Sequence, residues 1–430
     1  LENHSVIIAG GGPGGLGVAA TLEGWHPRFE GDYEFPSDDV QALAREHEQN
    51  PLALDQHVLL EQGHRPIEFF RMRHHPIQDA VPLDEWTLKF TKRNRADWLM
   101  LTTDGPGGLW NSVPREQMTL GPAHWMELSH YPIGKFYEQT GRNRDLNALV
   151  HREDLVPYYQ AYAEELGLTP HIRSGIKVTS IKPADDDVAA RFVVETVDQE
   201  TGSETSYSCD HLVFGVGPRS VLRKLTARGT DQDYISFAYT HPDDYPGERI
   251  LVIGGGRSAD WAAQELHDAG RMVVYAMRQH PEGHLKLIND SRYLPYYRRW
   301  AEILAGGQER MGLLYGANVT AFEPDGVTAI STSEGPIQLQ VDHVVVEIGG
   351  DPDYELLKSF DGNLTFHAKH DNFRFQLNQL VVDQATFESV DIPGLYPTGY
   401  TAQGTGLSVI GFHAACFLIA GDILRKLGAV

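Results

Sequence analysis

Twice in this chain a short apolar run meets a cluster of glycines and passes straight into a helical pattern, and few features restrict a fold more. The first unit runs Ser5-Val6-Ile7-Ile8-Ala9 into Gly10-Gly11-Gly12-Pro13-Gly14-Gly15, followed by a helical pattern over 16–22. Gly10, Gly12 and Gly15 have G-x-G-x-x-G spacing directly after a strand. Missing side chains there let backbone N–H groups and a helix N-terminus approach a pyrophosphate, with Pro13 and Gly14 inside the same run. The second unit takes an apolar strand over 249–253 into Gly254-Gly255-Gly256. Here Gly254, Gly256 and Ala259 have G-x-G-x-x-A spacing, and a helix is expected over 258–269. Ser258 is suited to cap it and Asp260 falls in its first turn. Two dinucleotide sites are implied, in an α/β fold with two Rossmann-like, three-layer ββα domains.

Which nucleotide each unit takes follows from position and charge. The first opens the chain and is the better candidate for FAD. The ribose acid sought some twenty residues further on is missing, because that interval falls inside an insertion expected over about 23–96. Two candidates compete for the role. Glu61 ends the run His57-Val58-Leu59-Leu60, and Thr102 ends the run from Trp98. The second run is the better strand, which leaves a hydroxyl at the ribose and makes Glu61 an ordinary helix residue. In the second unit, the strand expected over 272–275 is followed by Ala276-Met277-Arg278. An arginine there favours NADPH, with Arg278 on the 2′-phosphate and Arg257 adding a phosphate contact at the helix start.

A chain of 430 residues, 41% of them hydrophobic, can bury more than one core. The expected division is an FAD domain over 1–225 and 346–430, with an NADPH domain over 226–345 inserted into it. The 23–97 stretch reads as helices and loops, with the sheet resuming at 98–102. A helix is expected over 152–166, and β segments over 176–181, 191–197 and 211–214. A net charge of −23 disfavours a nucleic acid or an anionic membrane as partner. Two cysteines, Cys209 and Cys416, far apart in sequence, exclude a CxxC redox pair and fit a reducing, cytoplasmic compartment. The apolar stretch 407–424 is broken by Gly411, His413, Gly421 and Asp422 and reads as a buried helix.

With both fingerprints, the block Pro106-Gly107-Gly108-Leu109-Trp110-Asn111-Ser112 and a late glycine-rich loop from Gly399, the chain resembles class B flavin-dependent monooxygenases. That block, with Met118-Thr119-Leu120 and Trp125-Met126-Glu127-Leu128, is similar to the oxidative stress-induced growth inhibitor family. The resemblance implies that Gly108 and Trp110 lie beside the flavin, that the Val178 backbone holds the adenine, and that Gly217 closes the same site. It also implies that Gly399, Leu407 and Ser408 place backbone donors near the flavin, where a helix N-terminus stabilises negative charge on the reduced ring. The monooxygenase linker is kept only in part, as Phe237-Ala238-Tyr239-Thr240-His241-Pro242, with His241 as the catalytic remnant. The stretch Leu287-Ile288-Asn289-Asp290-Ser291 is similar to the asparagine-containing stretch of amine N-hydroxylases, although a loop asparagine capping a helix fits equally.

The expected activity is insertion of one oxygen atom from O2 into a small molecule, N-hydroxylation of an amine first, Baeyer-Villiger or sulfur oxygenation next. An NADPH oxidase or reductase and a non-catalytic flavin-binding regulator are the alternatives from other classes. Twenty histidines, among them His74-His75, show no metal-ligand spacing, so scattered histidines and no metal are expected. The pairs Tyr158-Tyr159 and Tyr296-Tyr297 read as packing. A homo-oligomer is possible on this sequence.

Overall fold

The structure, a computed structural model, describes residues 1–75, 79–186, 188–360, 362, 364–370, 376–406 and 408–430. Both glycine-terminated runs are inner strands of sheets. In the first sheet the order is Ile172–Ser174, Trp98–Thr102, Glu2–Ala9, Glu204–Phe214, Phe192–Asp198, Ile176–Pro183, with Leu395–Pro397 also paired to Glu204–Phe214. Val6, Ile7, Ile8 and Ala9 are at most 1% exposed because both faces of this strand are covered. Alternation sends Val6 and Ile8 into one core with Leu16 and Trp98, and Ile7 into another with Leu99, Leu212 and Leu357.

The strand expected over 211–214 is longer, Glu204–Phe214. It pairs antiparallel with Phe192–Asp198 at its start and parallel with Leu395–Pro397 at its end. Its polar first half hides it from a search for apolar runs. The reading of 23–97 as helices and loops also needs correction. An antiparallel pair, Trp25–Phe29 with Leu88–Lys92, closes the base of that insertion. Pro27 argues against a strand, yet in a two-stranded ribbon every strand is an edge and a missing N–H is tolerated. Between the strands lie helices Asp38–Glu46, His57–Glu61 and Pro66–His74.

Behind the first sheet, helix Pro13–Leu22 packs on the terminal helix Val409–Lys426, whose residues are buried from Val409 to Leu424 save Ile410. Gly17 makes that approach possible: a Cβ there would lie 2.6 Å from Cys416 Sγ. Among the described residues no helix is long and apolar enough to cross a membrane.

The second sheet is fully parallel, in the order Ile235–Phe237, His343–Glu347, Arg249–Gly254, Met272–Met277, Met311–Tyr315. Helices Arg257–Asp268, Pro281–Ser291 and Pro295–Ala305 cover one face through Trp300, Tyr297 and Leu266. The antiparallel strands Asn318–Phe322, Val327–Thr332 and Gly335–Gln340 cover the other through Val319, Phe322 and Ile330. That is the three-layer arrangement the sequence leads one to expect. His343–Glu347 straddles the 345/346 boundary, so this sheet extends past it. The chain passes between the two sheets where Val221–Leu222 pairs antiparallel with Gly350–Asp351 and Arg223 grips Asp351 through two bonds of 2.6 and 2.8 Å.

Candidate functional site

At the first glycine loop each glycine has its own reason. Gly10 has φ 120°, and a Cβ there would lie 2.1 Å from the Gly215 carbonyl oxygen. At Gly15 a Cβ would meet the Gly10 carbonyl oxygen at 2.2 Å, so this glycine lets the helix close on the strand. Gly12 differs: no described atom lies within 4 Å of its Cβ position. It is the N-cap of Pro13–Leu22, which has no side-chain cap and no acid in its first turn. The helix therefore presents bare backbone and the positive end of its dipole to open space, which suits a pyrophosphate.

Three segments close around this loop. Thr102, buried at the end of its strand, has Oγ1 2.8 Å from the Cβ position of Gly11. Glu61 by contrast is exposed on its short helix, so the structure brings Thr102 and not Glu61 to the loop. The Gly107 amide donates to the Gly11 carbonyl at 2.9 Å, and Gly108, with φ 53°, packs against Gly12. Trp110 follows on a short 3-10 turn whose carbonyls at Trp110 and Asn111 accept from Arg152 at 3.0 and 2.6 Å. From the C-terminal side, Thr398 Oγ1 lies 2.8 Å from the Cβ position of Gly14, and buried Gly399 has φ 64°. Gly217, φ 78°, follows Gly215, whose amide donates to the Ala9 carbonyl at 2.9 Å. Val178 is half-buried beside a bulge in its strand. Ser408 is the exposed N-cap of the terminal helix, and Leu407 lies outside the described residues.

The second loop repeats the pattern. A Cβ at Gly254 would lie 2.4 Å from both the Ala259 Cβ and the Glu347 carbonyl oxygen, while Gly256 again has no described atom within 4 Å. Gly256 is the N-cap of Arg257–Asp268 and no side chain caps it. The expectation for Ser258 is thereby corrected: it lies inside the first turn, and its hydroxyl accepts from Arg219 at 3.4 Å. Asp260 is fully buried and accepts from Tyr275 at 2.8 Å, Tyr297 at 3.2 Å and the His284 ring at 3.0 Å, so it organises the core and does not face the loop. Arg278 follows the end of Met272–Met277, exposed, with no ion-pair partner among the described residues. The strand runs two residues beyond 275, which brings its end directly to Arg278.

Sequence reasoning missed Arg219 and Glu347. Arg219 donates to the buried Glu347 carboxylate at 3.2 Å, and the other carboxylate oxygen accepts the Tyr239 amide at 2.7 Å. Burial raises the Glu347 carboxyl above its ordinary range. The pair stands at the mouth of the second loop, where Gly254 is registered with Glu347. Its members are 128 positions apart in the chain, and no local pattern joins them.

Among the described residues, neither expected catalytic side chain is brought to a glycine loop by a hydrogen bond or ion pair. His241 caps the turn Pro242–Asp244, its ring accepting the Asp243 amide at 3.3 Å. Asn289 is exposed inside helix Pro281–Ser291, on the side away from buried His284 and Ile288, so it neither sits in a loop nor caps a helix. The tyrosine pairs are packing: Tyr158, Tyr159 and Tyr297 are fully buried and Tyr296 nearly so. Five of the twenty histidines are gathered in one place. His74, His75, His124, His130 and His413 form one continuous set of ring contacts behind the first glycine helix, beside Glu127. Burial holds the His74 and His130 rings down to about 3 and pushes the Glu127 carboxyl up to about 8.

Residues 124–399 match the family model described as pyridine nucleotide-disulphide oxidoreductase. The chain belongs to that family. Oxidative stress-induced growth inhibitor 1 of Mus musculus is 24% identical over 99% of this chain and 96% of its own length, an alignment that runs far beyond the Gly-Gly-Leu-Trp block. Dimethylaniline monooxygenase (N-oxide-forming) 2 of Macaca mulatta is 29% identical over 31% of this chain and 26% of its own. Among solved structures, bacillithiol disulfide reductase Bdr from Staphylococcus aureus superposes with TM-score 0.65 at 18% identity, covering 99% of both chains. The ornithine N-hydroxylase of Kutzneria sp. 744, with reduced FAD, NADP+ and L-ornithine, does so with TM-score 0.62 at 15% identity over 99% of this chain and all of its own. The chain is thus a member of an oxidoreductase family and shares the fold of these neighbours. The family's name is not matched by a dithiol here: Cys209 and Cys416 are both free and buried on separate elements.

Proposed function

We propose that this chain is an FAD- and NADPH-dependent monooxygenase that hydroxylates the nitrogen of a small amine. The observation that carries the cofactors is the pair of uncapped helix N-termini whose middle glycines, Gly12 and Gly256, have no described atom within 4 Å of their Cβ positions while Gly10, Gly15 and Gly254 are closed by backbone. The residues fit the two groups. Backbone at Gly12 and Gly14 would hold the FAD pyrophosphate, Thr102 its ribose and the Val178 backbone its adenine. Gly108 and Trp110 would lie beside the ring, with Gly399 and Ser408 at its oxygen-rich edge. Arg257 and Arg278 would hold the NADPH phosphates. The domain division proposed is the FAD unit over 1–225 and 346–430 and the NADPH unit over 226–345, with the second sheet's last residues crossing into 346–347.

The cofactors supply hydride transfer and oxygen activation. The protein's part is to exclude water, align nicotinamide with flavin and orient the amine. Arg219, held by Glu347, fixes the second loop for that alignment. Amine oxygenation is supported by the N-oxide-forming relative and by a net charge of −23, which attracts cations. His241 and Asn289 are proposed to act only after substrate-bound closure brings them to the ring. Two buried free thiols suit a reducing cytoplasm.

The test is anaerobic mixing of FAD-loaded protein with NADPH or NADH while flavin absorbance is followed, then addition of O2 with a panel of primary amines and mass analysis of products. Fast bleaching selective for NADPH, and an amine product heavier by one oxygen, are expected. Bleaching followed by hydrogen peroxide equal to NADPH consumed under every amine would replace this reading with an NADPH oxidase, which the exposed position of Asn289 favours. No bleaching by either nucleotide would leave a flavin-binding regulator.

A further inference from the structure

We propose that His74, His75 and Glu127 form a buried binding site for one divalent transition-metal ion of the zinc type, tying the 23–97 insertion to the body of the first domain. One ligand atom from each lies within 4.8 Å of the others, and all three residues are buried. His74 and His75 end the helix Pro66–His74, whereas Glu127 sits in the segment before helix Ile133–Thr140. The site therefore joins two stretches of chain that have no sequence neighbours in common.

Buried polar atoms in folded proteins nearly always have partners. Here both nitrogens of His74 and Nε2 of His75 have no hydrogen bond among the described residues, and the two rings stand 3.9 Å apart. Two imidazoles tilted by 48° to one another, with those three nitrogens unbonded among the described residues and a carboxylate oxygen 3.6 Å from His74 Nε2, are poor packing but a suitable donor set. Two histidines and one carboxylate suit zinc and its neighbours in the first transition row, at metal–ligand distances of about 2.0–2.2 Å. Binding would draw the three groups together by about an ångström, within the reach of side-chain rotation.

Of the three ligands, Glu127 is held by an outer partner of the kind found at metal centres, and the two rings are held by packing. The second Glu127 oxygen accepts the Ile133 amide at 3.0 Å, which fixes the carboxylate. His124, whose ring contacts His75, is anchored by its Nδ1 on the Leu146 carbonyl at 2.9 Å. Trp86 and His413 pack against the His74 ring, and the His413 Nε2 is already taken by Ser129. His413 stands in the terminal helix, so the site rests on the same helix pair that carries the first glycine loop. The role assigned is structural: the ion ties elements together and does not meet the flavin.

The experiment is expression of the full chain in medium supplemented with Co2+, purification with neither chelator nor metal-affinity resin, elemental analysis and visible spectroscopy beside the flavin bands. One cobalt per chain, with ligand-field bands, is expected for the wild-type protein. His75→Ala and Glu127→Gln should lose that cobalt at unchanged FAD content, and dialysis of the wild-type protein against a strong chelator should lower its Tm. A wild-type chain that carries only traces of cobalt and of zinc overturns the proposal, and this outcome needs no variant to fold. So does full cobalt content in both variants. Loss of flavin reduction by NADPH would bear on the proposed function alone, because metal content is read independently of it.

Discussion

Gly12 and Gly15 lie three residues apart in one loop and should fail in different ways. A methyl at Gly15 has no room, 2.2 Å from a carbonyl oxygen, so Gly15→Ala is expected to lower stability by about 1–3 kcal/mol. A methyl at Gly12 touches no described atom of the protein. Gly12→Ala should melt within a few degrees of wild type and yet purify without flavin, which thermal unfolding and the absorbance ratio will check together. Arg278, exposed and without an ion-pair partner among the described residues, allows a similar separation of fold from function. Arg278→Ala should raise the KM for NADPH about tenfold or more and leave that for NADH nearly unchanged, the size expected for losing a charge-assisted phosphate contact of about 1.5–3 kcal/mol. His26 carries a pH dependence. It is 2% exposed with neither ring nitrogen hydrogen-bonded among the described residues, and burial lowers it from 6.5 to about 4. Below pH 6.5 the unfolded chain takes up a proton that the folded ring refuses. Stability should therefore fall between pH 6.5 and about 4, by up to about 3 kcal/mol from this group, and His26→Phe should flatten that part of a urea-midpoint profile.

At the scale of elements, the contact of Pro13–Leu22 with Val409–Lys426 offers a clean pair of variants. Gly17→Ala pushes a methyl onto Cys416 Sγ and is expected to lose about 1–3 kcal/mol, with Cys416→Ala restoring part of it in the double variant. Denaturant unfolding of the four proteins closes that cycle. Elements were legible where a buried strand consists of one apolar run ending in glycine, as at 5–9 and 249–253, because two covered faces demand apolar residues throughout. They were not legible where only half a strand is covered, as in Glu204–Phe214, or where a ribbon tolerates a proline, as in Trp25–Phe29. The same division runs through the site. Glycines betray themselves because they recur at fixed spacing within one loop and its helix, even where, as at Gly10 and Gly254, the backbone they avoid lies far along the chain, whereas Arg219 with Glu347, and His74 with Glu127, form no local pattern and meet only once distant segments have folded. Asn289 carried a sequence likeness that its exposed helical position does not by itself turn into chemistry.

The molecule as a whole is one sheet system interrupted by another. The chain leaves the first near Val221–Leu222 and returns at Gly350–Asp351, and these two short strands pair antiparallel, Leu222 opposite Gly350. Departure and return are therefore already in the geometry that a two-residue turn would bridge. A chain in which Asn-Gly replaces residues 223–349 should fold as a self-contained unit, bind flavin with the absorbance of the full protein, and no longer respond to NADPH. On the proposed division, the second sheet is thus a cassette hung from a hairpin stem, and a foreign cassette of the same build could be spliced onto that stem to change the electron donor without redrawing the proposed flavin pocket.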